Sequence, residues 1–219
     1  MKLDLGCGDR KQPGFHGMND RPLAGVDVVG SLNERLPFPD DAAEFVMAVR
    51  SLPYVRDLFA VLSEVYRVCA HKAVVCILAP YAHSFRHRSN PHFNHLFDEH
   101  TPRHLTSCFF QPSLGQLSPE ITPYEGPPPP FDFRLLRMEM FYLPPFRSPL
   151  FEEEELEILQ QLQLNVVDEV MYHFLVVKES IAGDELDRLS RLTMTEPDCV
   201  KELRRSAGEE GDVHDGGSD

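Results

Sequence analysis

The chain contains no apolar run of about 18 residues, the length a membrane-spanning helix requires. Its start also lacks the basic, then apolar, then small-residue order of a secretory leader, so a soluble, cytoplasmic protein is expected. Positive charge is scarce: 21 Lys and Arg stand against 35 Asp and Glu, for a net charge of -14. That balance opposes attraction to phosphate backbones or anionic lipid, and no nucleic-acid partner is expected. Cysteines are few and scattered, at Cys7, Cys69, Cys76, Cys108 and Cys199, with no C-x-x-C pair among them. Neither a zinc site nor a redox dithiol is indicated, and the thiols are expected to be reduced and mostly buried. No internal repeat is present.

What the sequence does contain is enough apolar material for one substantial core, 42% of 219 residues. A single α/β domain is the natural reading. "KLDL", "GVDVV" (25–29), "FVMAV" (45–49) and "KAVVCILA" (72–79) read as strands, and the last, apolar throughout, belongs in the middle of a covered parallel sheet. Between the third and fourth of these, "YVRDLFAVLSEVYRVC" (54–69) places Val55, Leu58, Phe59, Leu62, Val65, Tyr66 and Cys69 at helical spacing. Residues from about 80 to 150 change character: proline recurs, "PPPP" stands at 127–130, histidines cluster, and the stretch reads as a long insertion packed over the sheet. A helix is then expected in which Ser148 or a neighbour caps a first turn holding Glu152 to Glu155. "NVVDEVMYHFLVVK" (165–178) is long enough for two strands, or for one with a bulge, and is expected to end the sheet. Two short helices separated near Pro197 occupy 181–206, and the acidic, glycine-rich 207–219 reads as a disordered tail.

The opening "MKLDLGCGDRKQPGF" runs a short strand directly into Gly6-Cys7-Gly8. A glycine loop at the carboxyl end of the first strand of an open α/β sheet is where such sheets take a ligand. Lys11 stands where a G-x-G-x-x-G dinucleotide fingerprint needs its third glycine, and no G-K-[ST] of a P-loop follows. The distinctive feature is Asp4, two residues ahead of the first glycine: a carboxylate beside a bare backbone suits a ligand whose near end is cationic rather than a phosphate.

With "LPFPDDAAEFVMAVRSLPYV" and "LSEVYRVCAHKAVVCILAP", this opening resembles class I S-adenosylmethionine-dependent methyltransferases, and most closely their small type-11 domains, over roughly residues 2–80. The resemblance implies a Rossmann-like sheet, mostly parallel with an antiparallel terminal strand, flanked by helices over residues 1–180. It also implies S-adenosyl-L-methionine as cofactor. The backbone at Gly6, Cys7 and Gly8 would border the methionine end, with Asp4 supporting its ammonium. The acid ending the second strand, which grips the ribose hydroxyls, would be Asp20, ranked above Asp27 because Asp27 reads as lying inside the third strand. Three positions depart from the pattern. Arg10 takes the place of the usual third glycine of that loop. Ser31 stands where an acid often meets the adenine amino group, leaving adenine to Ser31 or the backbone at Leu32. Ser51-Leu52-Pro53-Tyr54 replaces the common Leu-Glu-His, so no base is inherited there.

Methyl transfer from a sulfonium is an in-line displacement that needs alignment and exclusion of water; a general base is optional. The residues from which a base would come are the histidines of "AHSFRHRSNPHFNHLFDEHTPRHLT": His83, His87, His92, His95, His100 and His104. His100 is the first choice and His104 the second; a metal site from His92 and His95, or His100 and His104, with Asp98 or Glu99 is another reading, and surface histidines bonded to backbone carbonyls the plainest. Arg86, Arg88 and Arg103 could receive an anionic acceptor or simply pair with nearby acids. Phe109, Phe110, Phe131, Phe133, Phe141, Tyr142 and Phe146 could line an acceptor pocket, although packing is their plainer purpose. The expected activity is methylation of a small-molecule, glycan or lipid-linked acceptor. The alternative is a methyltransferase fold without turnover that serves as a binding subunit.

Overall fold

The computed structural model describes residues 1–108, 126–147 and 150–205. Seven strands, β1 (Lys2–Leu5), β2 (His16–Asn19), β3 (Val28–Val29), β4 (Ala43–Val49), β5 (Cys69–Pro80), β6 (Phe133–Tyr142) and β7 (Val167–Val176), form one sheet in the order β3-β2-β1-β4-β5-β7-β6. All pairings from β3 to β5 are parallel, and β7 runs antiparallel to both β5 and β6. This is a mostly parallel, Rossmann-like sheet with an antiparallel late strand, as the resemblance implies. The chain's last strand does not end the sheet, however: β7 inserts between β5 and β6, and all ten of its residues are buried. It is one continuous strand, because both its faces are covered and both its edges are paired.

The edge belongs to β6, "FRLLRMEMFY", which lies inside the stretch that the sequence presents as an insertion. Its charges mask the strand period, and each has a structural partner. Arg134 Nε donates to Asp132 (2.7 Å), Arg137 Nη2 donates to the carbonyls of Ser190 and Leu192 (3.2 Å each), and Glu139 accepts from Arg204 Nε (2.7 Å). An edge strand carrying charged residues is also protected from pairing with other chains.

Alternation along the strands divides the core between two faces. On one lies α1 (Leu58–Val68), capped by the Asp57 carboxylate accepting from Ala60 N at 3.0 Å and burying Leu58, Val61, Leu62, Val65 and Val68. It starts four residues later than its periodicity suggests, because a 3-10 turn at Leu52–Tyr54 takes up the chain first. Phe97, Leu105, Phe131 and Phe133 join the same core. The other face carries Phe15, Phe45, Met47 and Met171, closed by Val200, with Leu186 packing on Leu136 and Leu175 beside them. No helix lies in the first three connections, residues 6–15, 20–27 and 30–42. Cover on the second face comes instead from the two expected C-terminal helices, α4 (Gly183–Ser190) and α5 (Val200–Leu203).

The remaining helices are α2 (Phe85–Arg88) and α3 (Glu153–Leu162). The cap of α3 is Glu152, which forms a reciprocal capping box with Glu155; Ser148 lies outside the described residues, as do Phe109, Phe110 and the tail from 206. The strand expected at 25–29 shrinks to Val28–Val29, since Gly25 turns the chain and Asp27 bonds back to Gly17 N at 2.7 Å. Among the described residues, no helix is long and apolar enough to cross a membrane.

Candidate functional site

β1 passes outward to β2 and β3, and the chain then returns to place β4 on the other side of β1. That reversal opens a crevice at the carboxyl ends of β1 and β4, the place where open α/β sheets bind ligands. Two short segments build its walls. Gly6, at φ 74°, donates its N–H to Met18 O at 2.8 Å, and a Cβ on it would come within 2.4 Å of Ser51 Cβ. Ser51 follows β4 and donates its hydroxyl to Leu5 O at 2.7 Å, so the serine found in place of the common acidic motif is what locks the two loops together. Gly8, at φ 59°, has open space around its missing Cβ.

The crevice divides into two connected lobes that share Gly6 and Arg50. One, of about 330 Å³, is lined by Asp20, Ser31 and Leu32 together with Gly30, Ser51 and Tyr54. The other, of about 540 Å³, is lined by Asp4, Cys7 and Gly8, and by Asp198, Cys199 and Glu202 of the C-terminal segment. Both volumes fall within the range of small-molecule sites, about 300–1,000 Å³. The seven residues singled out in sequence for a cofactor thus lie around one crevice.

Their electrostatics differ. Asp4 is 2% exposed; its Oδ2 accepts from Gln12 N at 2.8 Å, while its Oδ1 is buried with no hydrogen-bond partner. Burial raises its pKa, opposed by the Gln12 amide and by the Lys11 charge. A buried carboxylate oxygen left idle beside a bare loop is set up to receive a donor from a ligand. Asp20, directly after β2, is exposed and accepts only from the Asn19 side chain at 3.2 Å among the described residues. Asp27 is committed to the fold: it precedes β3 rather than lying in it, and it holds Lys11 Nζ and Gly17 N at 2.7 Å each, which lowers its pKa. Ser31 Oγ accepts from Asn33 N at 3.1 Å and fixes the turn beside the first lobe. Burial, then the Asp4 charge, raises the Cys7 pKa, so this thiol acts as a small loop residue rather than a thiolate.

The histidines fall elsewhere. His100 and His104 bracket a 3-10 turn at Thr101–His104, and neither lines the crevice. After β5 the chain pairs Tyr81 with Phe97, Asp98 O accepts from Tyr172 Oη at 2.6 Å, and Leu105 O accepts from Phe133 N at 2.9 Å. Phe133 begins β6, so the turn lies across a face of the sheet toward its amino-terminal side. Phe97 and Leu105 are buried on either side of the turn, and Glu99, next to His100, accepts from Tyr81 Oη at 2.6 Å. His87 is paired with Asp168 at 2.8 Å, and Arg86 lies 3.6 Å from the same carboxylate, while the segment holding His92 and His95 packs on Pro53 and Tyr54 beside the first lobe, His95 N donating to Pro53 O at 3.3 Å. Phe131, Phe133 and Phe141 are core residues. Among the described residues, no group of three His, Cys, Asp or Glu is placed to hold a metal ion.

Sequence reasoning passed over Arg50 and the C-terminal wall. The signal for Arg50 was present, a charge directly after the apolar run Phe45–Val49. The wall carried none, because Asp198, Cys199 and Glu202 reach the crevice only through tertiary packing.

No family model matches the chain, and no curated protein does. Solved structures similar to it include a methyltransferase of Thermotoga maritima, described as S-adenosylmethionine-dependent and a possible histamine N-methyltransferase. The two are 15% identical, with 80% of this chain and 81% of that chain covered and a TM-score of 0.47. Two more are S-adenosylmethionine-dependent methyltransferases. The one from Aquifex aeolicus shows 12% identity, covers 80% and 81%, and has a TM-score of 0.40. The one from Methanosarcina mazei shows 14% identity, covers 81% and 92%, and has a TM-score of 0.42.

Proposed function

We propose that the chain is an S-adenosylmethionine-dependent methyltransferase acting on a small-molecule, glycan or lipid-linked acceptor. One observation carries the reading: a single crevice at the sheet's reversal point offers an uncommitted carboxylate, Asp20, in one lobe and an idle buried carboxylate oxygen, on Asp4, in the other. A ligand with a diol at one end and an ammonium at the other satisfies both. The bound cofactor would supply a methyl group on a sulfonium. In this reading Asp20 accepts from the ribose hydroxyls, Ser31 and the backbone at Leu32 border the adenine, Gly6, Cys7 and Gly8 let the chain lie against the methionine end, and Asp4 takes the ammonium. The chain's part in the reaction is to orient donor and acceptor in line and to keep water out. A thiolate or stabilised-carbanion acceptor needs no base for that displacement, whereas a hydroxyl or ammonium acceptor needs a group to take its proton.

Calorimetric titration of S-adenosylmethionine and S-adenosylhomocysteine into wild type and Asp20→Ala tests the reading. Micromolar binding, about -8 kcal/mol, is expected for wild type, with a loss of at least about tenfold in the variant, since two charge-assisted hydrogen bonds disappear. Folded wild-type protein that binds neither compound would sink the proposal.

A further inference from the structure

Arg50 joins the two lobes of the crevice, and its side chain is held in an unusual way. β4 is apolar from Phe45 to Val49; Arg50 then takes φ 55°, donating its N–H to Leu78 O at 2.7 Å, and its side chain reaches Glu169 on β7. Nε donates to Glu169 Oε1, and Nη2 donates to Oε2 at 2.7 Å. The Glu169 side chain is 3% exposed and that of Arg50 is 39% exposed. A guanidinium carries five N–H groups in a rigid plane. Glu169 takes two of them, along one edge. The three others, two on Nη1 and one on Nη2, have no partner among the described residues.

A guanidinium clamped on one edge by a buried carboxylate presents its outer edge as a preorganised fork for a second planar anion. The other cations around that lobe offer nothing comparable: the Arg10 side chain is 89% exposed, and the Lys11 ammonium is spent on Asp27 at 2.7 Å. The same lobe contains Asp4, buried and with its Oδ1 unpartnered. A free anion-binding fork and an idle carboxylate oxygen in one lobe match a ligand end that carries both an ammonium and a carboxylate.

The geometry points to Arg50 as the residue that recognises the α-carboxylate of the cofactor's amino-acid moiety, with Glu169 as the positioning residue that fixes its guanidinium. This assignment rests on the methyltransferase reading and deepens it. It makes the crevice selective for the complete amino acid, not only for adenosine and sulfonium.

Decarboxylated S-adenosylmethionine keeps the adenosine, sulfonium and ammonium and lacks only the carboxylate, so it isolates the contact. Wild type is expected to bind S-adenosylmethionine at least about tenfold more tightly than the decarboxylated form. Arg50→Ala alone would leave Glu169 as an unpaired buried charge. The informative variant is therefore Arg50→Leu combined with Glu169→Leu, with Arg50→Lys beside it and folding checked by circular dichroism. The double variant should lose the preference, binding the two compounds within about twofold of each other, while its affinity for the decarboxylated form stays near that of wild type. Arg50→Lys, a point charge without the fork, should keep only part of the preference. Equal binding of the two compounds by wild type would overturn the assignment, as would a preference that survives in the folded double variant. In both cases the cofactor reading would stand. Wild type that binds neither compound overturns the cofactor reading and this assignment together.

Discussion

Gly6 is held by two constraints and Gly8 by one, and that difference is measurable. Gly6→Ala would force an L-residue to φ 74° and drive its Cβ to 2.4 Å from Ser51 Cβ. A destabilisation of about 3 kcal/mol is expected. Gly8→Ala meets only the conformational penalty, about 1 kcal/mol, and urea denaturation of the two variants should separate them. Asp4 makes a second case in which stability and function diverge. Burial raises its folded pKa above the unfolded value, so the group favours the fold most at low pH, and that contribution is lost as pH rises through the folded pKa. Ionising Asp4 is therefore a cost to the fold. Asp4→Asn is therefore expected to raise the melting temperature at pH 7 and to weaken cofactor binding by at least about tenfold. A variant that melts lower and binds normally would contradict both halves. Asp27 has the opposite sign: its folded pKa is lowered by Lys11 and Gly17, and the stability it contributes is lost as pH falls through that value.

Among the elements, α5 is too short to stand alone, at four residues. It is held by Val200 in the core and by Arg204, which donates from Nε to Glu139 on β6 at 2.7 Å and from Nη1 and Nη2 to Glu196 at 2.6 and 2.9 Å. Asp198 N also donates to Gln12 Oε1 at 3.4 Å, and Gln12 N donates to Asp4. The C-terminal wall of the crevice is thereby tied to the edge strand on one side and to the glycine loop on the other. Arg204→Ala should leave global stability within about 1 kcal/mol, because the side chain is partly exposed. It should nonetheless speed amide exchange at 199–204 and weaken S-adenosylmethionine binding several-fold. Unchanged exchange there would show that Val200 alone holds the wall.

For the molecule as a whole, the sheet is continuous from β3 to β6, and both cores pack against its central strands. β7 pairs with β5 and carries β6 at its outer side, so no part of the sheet is expected to unfold by itself. Denaturation should give coincident transitions by far-ultraviolet circular dichroism and by the fluorescence of the six tyrosines, as the chain has no tryptophan. A separate early transition would instead mark the β6–β7 half as its own unit. The paucity of helices in the first three connections makes that coupling stronger, because α4 and α5, from the end of the chain, cover a face that includes early strands.

The sequence alone determined the first half of this fold and the glycine-rich end of the site. Asp4, Gly6 and Gly8 sit within five residues of one another, α1 shows an uninterrupted apolar period, and "KAVVCILA" is apolar on both faces, so each could be read from local pattern. Asp20 was reached only through the family resemblance, since no local pattern marked β2 (His16–Asn19). The tertiary structure decided the rest, because the causes lie far apart in the chain. β6 hides behind Arg134, Arg137 and Glu139, whose charges make sense only beside Asp132, the 190–192 turn and Arg204. His100 and His104 were drawn from composition, and neither lines the crevice. Arg50 becomes a fixed fork only because β7 inserts beside β5 and brings Glu169 across the crevice; pairing between strands so remote in sequence follows from burial and hydrogen bonding in three dimensions, which no local pattern encodes.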